Sequence, residues 1–410
     1  MTEQPNCEVW ALDAKEGCGL RVCHLGKFYP PASGGIESHL QTLARAQAEL
    51  GLSVQVLCVN HMDGERRDVT WKNFAATPTL NENDGAVRVT RLGRRASIAR
   101  LDICPGLIGA LRRLNPDNVD LIHLHVPNPT MILALYACRP RVPWVIGYHS
   151  DVVKQKALLL LQRPFENWVF RKARAVFAAS PEYPRASAYL RRFADKTAII
   201  PYGIDLEPFQ NPGEDSLRYA EGLRRDHGEP LWLAVGRLVY YKGLHNAIRA
   251  LTLVPGKLLI VGSGPLKGSL ETLAGELGVA SRLLWLGNLN AVELQGAYRA
   301  ATALWFPSNA RSEAFGLVQV EAMASGCPVI NCSIPGSGVS WVSPHEESGL
   351  TVGVDDWQGL AAAANRIWQD RVLLAKLRRQ GQERASNQFS APLMAERTVA
   401  RYRAFLDLQT

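Results

Sequence analysis

The sequence predicts an α/β protein made of two doubly wound domains, each with a parallel sheet. Short apolar runs alternate with amphipathic stretches along most of the 410 residues, and this alternation pauses once at a polar segment and then restarts. Near-continuous apolar strands separated by helices are typical of parallel sheets that are covered on both faces. The length also favours two domains, because a single core rarely extends beyond about 250–300 residues.

The first domain is predicted from seven apolar runs that have the length of strands. They are LRVCHLGKFY (20–29), SVQVLCVN (53–60), VRVTRLG (87–93), DLIHLHV (120–126), VPWVIGYHS (142–150), AVFAAS (175–180) and TAIIPYG (197–203). Helical patterns fall between most of them, such as the one from Ile36 to Leu50. Right-handed crossovers between such strands give a doubly wound sheet.

The second domain begins after the polar segment NPGEDSLRYAEGLRRDHGEP (211–230). Its predicted strands are LWLAVGR (231–237), KLLIVGSG (257–264), RLLWLG (282–287), ALWFPS (303–308) and PVINCS (328–333). We therefore predict domains at 20–207 and 208–388, a loose extension at 1–19, and a final amphipathic helix within 389–410. In open α/β sheets ligands bind at the carboxyl ends of the strands, so a cleft between the two domains is the expected site.

The composition is that of a soluble globular protein, with 47% hydrophobic and 20% charged residues. The eight cysteines are scattered without a C-x-x-C pair, which favours free thiols in a reducing compartment over a disulfide framework. The N-terminal residues lack a secretory signal pattern, and no apolar run approaches the ~18 residues that span a bilayer. We therefore expect a cytoplasmic protein that at most rests on a membrane.

The net charge of +8 is concentrated in residues 154–196, which hold ten cations and three anions. A solvated surface explains such a cluster in most proteins. Attraction to anionic lipid is the functional alternative, since each basic residue near such a surface contributes about 1 kcal/mol. Nucleic acid is not expected as a partner, because no nucleic-acid-binding module is recognisable.

Two polar motifs follow predicted strands of the first domain. Gly34 and Gly35 precede a predicted helix, where backbone N–H groups and the helix N-terminus favour an anion such as phosphate. An ordinary strand-to-helix loop explains the pair equally well. His149, in GYHSD, lies at the end of a strand and could donate a hydrogen bond to a sugar hydroxyl, although isolated histidines are usually structural.

Two further motifs follow strands of the second domain. In GRLVYYKG, Gly236 and Arg237 end a strand and Lys242 precedes the next helix, so the two cations could hold a diphosphate leaving group. A solvated basic pair is the alternative. In GSGP, Gly262, Ser263 and Gly264 form another glycine-rich turn that is compatible with a nucleotide but is weak evidence alone.

The segment SEAFGLVQVEAMASGCPVI (312–330) carries the most specific pattern. Glu313 precedes Gly316 and is predicted to lie in a loop, whereas Glu321 is predicted to lie on the helix that follows. Backbone N–H groups of Ala314 to Leu317 would lie between the two carboxylates, near the helix N-terminus. A sugar nucleotide needs a carboxylate that accepts hydrogen bonds from sugar hydroxyls and, beside it, N–H donors that bind phosphate.

This segment resembles the E-x7-E signature of the retaining glycosyltransferases of family 4, which have the GT-B fold of two Rossmann-like domains facing across a cleft. The motifs GGIE, HSD, GRLVYYKG and GSGP occur in that family's order, and the resemblance extends from about Leu20 to Phe405. It implies that the last helix crosses back onto the N-terminal, acceptor-binding domain. It also implies that the C-terminal domain binds the nucleotide sugar.

The resemblance assigns a role to each matching position. Gly34 and Gly35 match the loop that closes near the donor phosphate, and His149 matches the histidine near the transferred sugar. Arg237 and Lys242 match the cations that neutralise the diphosphate, next to Gly236 and the turn of Gly262, Ser263 and Gly264. Glu313 matches the glutamate that contacts sugar hydroxyls, and Glu321 the one that binds the ribose. Ala314, Phe315, Gly316 and Leu317 match the backbone over the phosphates.

The expected reaction uses no metal and no cofactor other than the nucleotide-sugar co-substrate. Arg237, Lys242 and helix N-termini would stabilise the leaving diphosphate, and the chain has no D-x-D motif. No second carboxylate is placed as a nucleophile, which favours a same-face substitution over a covalent intermediate.

The stretches PNPT (127–130) and HSDVVKQK (149–156) are similar to bacterial O-antigen and exopolysaccharide transferases that use GDP-mannose or related GDP-sugars. A UDP-sugar donor is the alternative, and the acceptor is expected to be a saccharide or lipid-linked. Other candidates are a phosphorylase, a sugar-nucleotide epimerase and a non-catalytic sugar-nucleotide-binding protein. A dehydrogenase is disfavoured because G-x-G-x-x-G is missing.

Overall fold

The computed structural model of the chain describes residues 19–32, 34–70, 72–98, 101–150 and 156–406. It forms two compact units, the first comprising residues 1–178, 189–203 and 391–410 and the second residues 179–188 and 204–390. The predicted boundaries at 20–207 and 208–388 stay a prediction. Except for Gly19, the predicted extension at 1–19 lies outside the described residues.

Ten strands lie within the described residues of the first unit. They are β1 (Arg21–Leu25), β2 (Ser53–Val59), β3 (Leu80–Asp84), β4 (Val87–Leu92), β5 (Ala96–Ile98), β6 (Leu101–Ile103), β7 (Leu121–Val126), β8 (Trp144–Tyr148), β9 (Val176–Ala178) and β10 (Thr197–Ile199). Eight of them form a sheet in the order β10-β9-β8-β7-β1-β2-β4-β3, which is parallel except for the antiparallel pair β3–β4. The strands β5 and β6 form a separate antiparallel hairpin.

The helices that cover this sheet are α1 (Gly35–Glu49), α2 (Pro105–Arg113), α3 (Pro129–Cys138), α4 (Lys156–Lys172) and the C-terminal helix, numbered α15 below (Ala391–Phe405). A 3-10 helix spans Leu190–Lys196. Apolar side chains of α1 and α15 pack on β1, β2 and neighbouring strands, with Leu40, Val56 and Met394 in the shared core. The helix α15 therefore belongs to the first unit, although it is the last element of the chain.

Six parallel strands form the sheet of the second unit, in the order β13-β12-β11-β14-β15-β16. They are β11 (Leu231–Val235), β12 (Lys257–Val261), β13 (Leu283–Gly287), β14 (Ala303–Phe306), β15 (Val329–Cys332) and β16 (Gly349–Val352). Its core includes Trp232 and Trp305 on neighbouring strands, whose rings stack with centroids 5.1 Å apart.

The helices of the second unit follow the same alternation. They are α5 (Glu182–Ala186), α6 (Glu207–Gln210), α7 (Glu214–His227), α8 (Leu244–Leu251), α9 (Lys267–Glu276), α10 (Ala291–Ala300), α11 (Leu317–Ala324), α12 (Val339–Val342), α13 (Trp357–Gln369) and α14 (Arg371–Gln388). Short 3-10 helices occupy Tyr240–Lys242 and Ala280–Arg282.

Each predicted strand contains an observed one, so the prediction of two parallel-sheet α/β domains is confirmed. The sequence analysis did not predict β3, β5, β6 or β16, and the polar segment 211–230 contains the helix α7. The six described cysteines are all free, as expected. No helix within the described ranges is long and apolar enough to cross a membrane.

Candidate functional site

Glycines bring two loops of the second unit into close contact at the carboxyl ends of β11 and β12. Gly236 and Gly262 have φ angles of 140° and 123°, which side chains rarely adopt. A Cβ on Gly262 would lie 2.2 Å from the carbonyl oxygen of Gly236, and one on Gly264 would lie 2.5 Å from that of Leu238. The backbone of GSGP thus packs directly on the GRL segment, and only glycine fits at these positions.

Lys242 and Glu313 form an ion pair beside these loops. The Lys242 Nζ atom lies 2.6 Å from Glu313 Oε2, and the two side chains are only 13% and 12% exposed. The hydroxyl of buried Ser308 donates to the same Oε2 atom at 3.2 Å. The Lys242 ammonium also lies over the Phe306 ring, 4.9 Å from its centroid. These contacts hold one cation and one carboxylate at the end of β14.

Arg237 lies close to this pair and is exposed. Together with Gly236 and Lys242 it lines a small cavity whose other walls include Phe306, Pro307 and Ser308. The cavity opens at the carboxyl ends of β11 and β14, where open parallel sheets bind their ligands. Two cations at one such edge give a site for a doubly charged anion.

The segment from Glu313 to Leu317 is a loop that ends at the N-terminus of α11. Gly316 is the N-cap residue and has a φ angle of 80°. The Ser337 hydroxyl donates to the Glu313 carbonyl oxygen, and the Gly338 N–H donates to the Ala314 carbonyl oxygen at 3.0 Å. The predicted placement of Glu313 before the helix and Glu321 on it is confirmed.

The Phe315 side chain is buried between the rings of Trp341 and Phe389, so it anchors this loop in the core. Ala314 and Leu317, by contrast, remain partly exposed. The predicted contact of this segment with a donor phosphate can therefore involve only its backbone at Phe315. The role of the segment stays a prediction.

Glu321 is held by a single strong hydrogen bond from the interior. The hydroxyl of buried Tyr298 donates to Glu321 Oε2 at 2.7 Å. Burial raises the pKa of the Glu321 carboxyl, whereas the hydrogen bond from Tyr298 and the charge of Lys242 lower it. The arrangement leaves Oε1 for other partners and fixes the orientation of the carboxylate.

In the first unit, Gly34 is the N-cap residue of α1 and Gly35 is its first residue, one position before the start predicted at Ile36. The Glu37 carboxylate folds back onto Gly34, so that a Cβ on Gly34 would lie 2.1 Å from Glu37 Oε2. A carboxylate in the first turn favours the positive end of the helix dipole. A phosphate at this N-terminus would therefore meet an anion already present, which the sequence analysis did not anticipate.

His149 lies after β8, and both of its ring nitrogens have partners inside the first unit. Nε2 lies 2.9 Å from His125 Nδ1, and Nδ1 lies 2.5 Å from the Tyr202 hydroxyl. Burial lowers the pKa of His149 to about 3, so the ring is neutral at pH 7. A sugar hydroxyl that used this ring would have to compete with Tyr202.

The structure thus brings together the predicted residues of the second unit, whereas Gly34, Gly35 and His149 belong to the first. Sequence reasoning missed Ser308, Tyr298 and the histidines around His149. The alternation of His123 and His125 in β7 places both on one face of the strand and was an available signal. Ser308 and Tyr298 gave no such signal, because their partners are fixed only by tertiary packing.

The chain matches glycosyltransferase families along most of its length. The family described as "Glycosyl transferases group 1" matches residues 216–386, and "Glycosyltransferase Family 4" matches residues 33–208. The chain is 30% identical to the O-antigen chain mannosyltransferase C of Escherichia coli, over 95% of this chain and 99% of that protein. It is also 30% identical to the D-rhamnosyltransferase WbpZ of Pseudomonas aeruginosa, over 91% and 93% of the two chains.

A solved structure gives the corresponding result for the fold. The sucrose-phosphate synthase of Thermosynechococcus elongatus superposes with a TM-score of 0.75 at 25% sequence identity. The match covers 95% of this chain and all of that one.

Proposed function

Because the chain belongs to the glycosyltransferases with family 4 and group 1 domains and has the GT-B fold, we propose that it transfers a hexose from GDP-mannose or a related GDP-sugar. Transfer proceeds with retention of the anomeric configuration. The acceptor is a saccharide or a lipid-linked saccharide in cell-surface polysaccharide synthesis.

The observation that carries this proposal is the Lys242–Glu313 pair beside exposed Arg237, at the carboxyl ends of β11 and β14. The cavity supplies two cations for a diphosphate, and the carboxylate of Glu313, which is paired with Lys242, is available for sugar hydroxyls. The names of the two relatives support the choice of sugar. D-Rhamnose is 6-deoxy-D-mannose, so both names refer to sugars of manno configuration.

In the proposed reaction the bond from the anomeric carbon to the diphosphate oxygen breaks as the acceptor oxygen bonds to the same face of that carbon. The acceptor hydroxyl proton passes to an oxygen of the leaving diphosphate. Arg237 and Lys242 stabilise the charge that develops on this leaving group, and Glu313 orients the sugar through its hydroxyls. Glu321, oriented by Tyr298, accepts hydrogen bonds from the ribose.

We also propose that the reaction needs no metal, because the two cations occupy the position where a metal would neutralise the diphosphate. Transfer rates measured before and after dialysis against a chelator should then be equal. A rate that is lost on chelation and restored by a divalent cation would contradict this part of the proposal.

The test of the function is transfer from GDP-mannose to octyl α-mannoside, with the product examined by NMR. We expect a disaccharide whose one-bond C–H coupling at C1 shows an α linkage, the configuration of the donor. A β linkage would contradict retention. A trapped glycosyl-enzyme adduct would contradict the same-face route. Turnover of UDP-sugars alone would show that the donor base is wrong, and binding of GDP-mannose without transfer to any acceptor would favour a non-catalytic role.

A location on the cytoplasmic face of an anionic membrane is part of the proposal. Arg171, Lys172 and Arg174 are exposed around the end of α4. Lys196, by contrast, donates to carbonyl oxygens at the end of α4, including those of Phe170 and Ala173 at 2.7 and 3.0 Å. Lys154 lies outside the described residues.

Replacement of Arg171, Lys172 and Arg174 by glutamine should weaken cosedimentation with phosphatidylglycerol vesicles. The Lys376→Gln variant, which removes an exposed cation of α14, is the control. Equal binding by the triple variant and the control would remove the membrane surface from the proposal.

A further inference from the structure

A continuous chain of hydrogen bonds runs through the interior of the first unit to His149. It consists, in order, of Tyr202, His149, His125, His24, Gln47, Tyr402 and His123. The four histidines and Gln47 are buried, as is Tyr402 on α15. The reaction proposed above assigns no step to any of these residues.

The links between the rings are all within hydrogen-bonding distance. His149 Nε2 lies 2.9 Å from His125 Nδ1, and His125 Nε2 lies 3.0 Å from His24 Nδ1. His24 Nε2 lies 2.8 Å from Gln47 Oε1, and Gln47 Nε2 lies 3.2 Å from the Tyr402 hydroxyl. His149, His125 and His24 therefore each use both ring nitrogens, whereas Nε2 of His123 has no hydrogen-bond partner among the described residues.

Gln47 determines the direction of every bond in this path. A neutral imidazole has one N–H donor and one acceptor nitrogen. Gln47 Oε1 can only accept, so His24 carries its proton on Nε2 and presents Nδ1 as an acceptor to His125. His125 therefore donates from Nε2 and presents Nδ1 as an acceptor to His149 Nε2–H. The Nδ1 atom of His149 then accepts the Tyr202 O–H.

The two phenols of the chain support the same direction. Tyr202 lies 2.5 Å from His149 Nδ1, and Tyr402 lies 2.6 Å from His123 Nδ1. Contacts this short are typical of O–H donors, whereas N–H donors lie about 2.9–3.0 Å from their acceptors. Both phenols thus donate, which agrees with Gln47 Nε2 donating to the Tyr402 oxygen.

Gly147 on β8 provides the space that the chain needs. A Cβ at this position would lie 2.9 Å from His123 Nε2 and 3.3 Å from His125 Nδ1. It would also lie 3.5 Å from His149 Nε2. Any side chain here would press on the rings, so the backbone of the strand is matched to their arrangement.

We propose that Gln47 is a positioning residue that holds His149 as its Nε2–H tautomer through His24 and His125. The Nδ1 lone pair of His149 then fixes the Tyr202 hydroxyl in one orientation at the carboxyl edge of the first sheet. The family resemblance assigns the acceptor to the N-terminal domain, to which this edge belongs, so the kinetic consequence rests on the proposed function. The tautomer itself does not.

The direct test is NMR of the unsubstituted protein labelled with ¹⁵N-histidine, at pH 7 and without substrate. We expect His24, His125 and His149 to show the Nε2–H tautomer, with Nδ1 unprotonated. An Nδ1–H tautomer at His149, or a rapid exchange of both forms, would overturn the proposal. This measurement needs no substitution, so it does not depend on a variant that folds.

The second test compares Gln47→Leu with Gln55→Leu. Gln55 is also a buried glutamine of the first unit, but it bonds to the Cys23 thiol and does not touch the chain of rings. We expect Gln47→Leu to show both tautomers at His149 and a kcat lowered about tenfold, the effect of losing one neutral hydrogen bond. The KM for the donor should not change, and Gln55→Leu should retain the original tautomer and kcat.

A single tautomer at His149 in Gln47→Leu, with a kcat equal to that of Gln55→Leu, would contradict the proposal. Failure of the proposed function has a different signature. In that case GDP-mannose is not turned over by any variant, while the tautomers still distinguish Gln47→Leu from its control.

Discussion

At the residue scale, the proposed donor site depends on two opposite charges that pair with each other. Lys242 and Glu313 are both largely shielded from solvent, so either side chain alone would leave a poorly solvated charge. In the proposed function, a bound diphosphate would draw the Lys242 ammonium away and leave the Glu313 carboxylate to sugar hydroxyls. Donor binding would then be coupled to the release of Glu313 from the ion pair.

Replacing Lys242 by methionine should lower kcat by about 10²–10³-fold, as expected when a group that stabilises a developing charge is removed. Steady-state transfer assays with GDP-mannose give this ratio. Lys376→Met, which removes an exposed lysine of the same unit, is the matched control and should keep its rate. Equal rates in the two variants would exclude Lys242 from the reaction.

Replacing Tyr298 by phenylalanine should raise the pKa of Glu321 further. Burial already raises this pKa, and the lost hydrogen bond is one of the contacts that lower it. In the proposed function the ionised carboxylate binds the ribose, so the loss of nucleotide affinity on acidification should begin at a higher pH than in the original protein. The Kd for GDP measured between pH 5 and 8 tests this shift, with Tyr219→Phe on α7 as the control. Superimposable pH profiles would rule out ribose binding by Glu321.

The side chains that could be predicted from the sequence are those that follow strands directly. Arg237 and Lys242 were found because the strand before them is apolar and ends at a glycine. Tyr298 and Ser308 were not found, because each meets its glutamate only through the packing of α10 and β14. The alternation of His123 and His125 in β7 is visible in the sequence, whereas their approach to His24 and His149 depends on the pairing of β1, β7 and β8 in the folded sheet.

At the element scale, the short helix α11 depends on the glycine at its start. Gly316 has a left-handed φ of 80°, and a Cβ there would lie 2.7 Å from the Phe306 ring. That ring also supports the Lys242 ammonium. The start of the helix, the ring and the ion pair are thus fixed together.

Gly316→Ala should destabilise the second unit by about 1–3 kcal/mol, since it combines a strained φ with a steric clash. Gly268→Ala in α9 is the control, because nothing lies within 4 Å of a Cβ there. Thermal unfolding should show a lower midpoint for Gly316→Ala than for the original protein, and no decrease of the midpoint for Gly268→Ala. Equal midpoints would show that α11 accommodates a side chain at its start.

The elements that the sequence failed to predict are polar or very short. The strand β3 has the sequence LNEND and lies at the edge of its sheet. None of its five residues is fully buried, so the strand has no apolar pattern. The strands β5 and β6 have three residues each. Half of the residues of α7 are charged. The helix is stabilised by packing on α10, where a Cβ at Gly296 would lie 2.6 Å from the Ser216 carbonyl oxygen. Such packing is invisible in a local pattern.

At the scale of the whole molecule, stability should depend on pH through the buried histidines of the first unit. Burial lowers the pKa of His24 to about 4 and that of His149 to about 3, and it lowers those of His39, His123 and His125 well below 6.5. The unfolded chain binds protons at these residues below about pH 6.5, whereas the folded chain does not. The contribution of these neutral rings to the free energy of unfolding is therefore fully present above pH 6.5 and decreases as the pH falls below that value.

The urea midpoint of unfolding should fall steadily as the pH decreases from about 6.5 towards 4. Each pKa unit corresponds to about 1.4 kcal/mol per residue, so several histidines together produce a large effect. His345→Gln, which changes an exposed histidine, should follow the same curve as the original protein. A midpoint that stays constant between pH 7 and 5 would show that the buried rings take up protons without unfolding.

The central claim is that the Lys242–Glu313 site of the second unit binds a guanosine diphosphate sugar. Titration calorimetry of GDP into the original protein and the Lys242→Met and Lys376→Met variants tests it most directly. We expect GDP to bind more tightly than UDP or ADP, with the affinity for GDP reduced at least about tenfold in Lys242→Met and unchanged in Lys376→Met. No binding of any of the three nucleotides, or equal affinity for GDP in both variants, would contradict the claim.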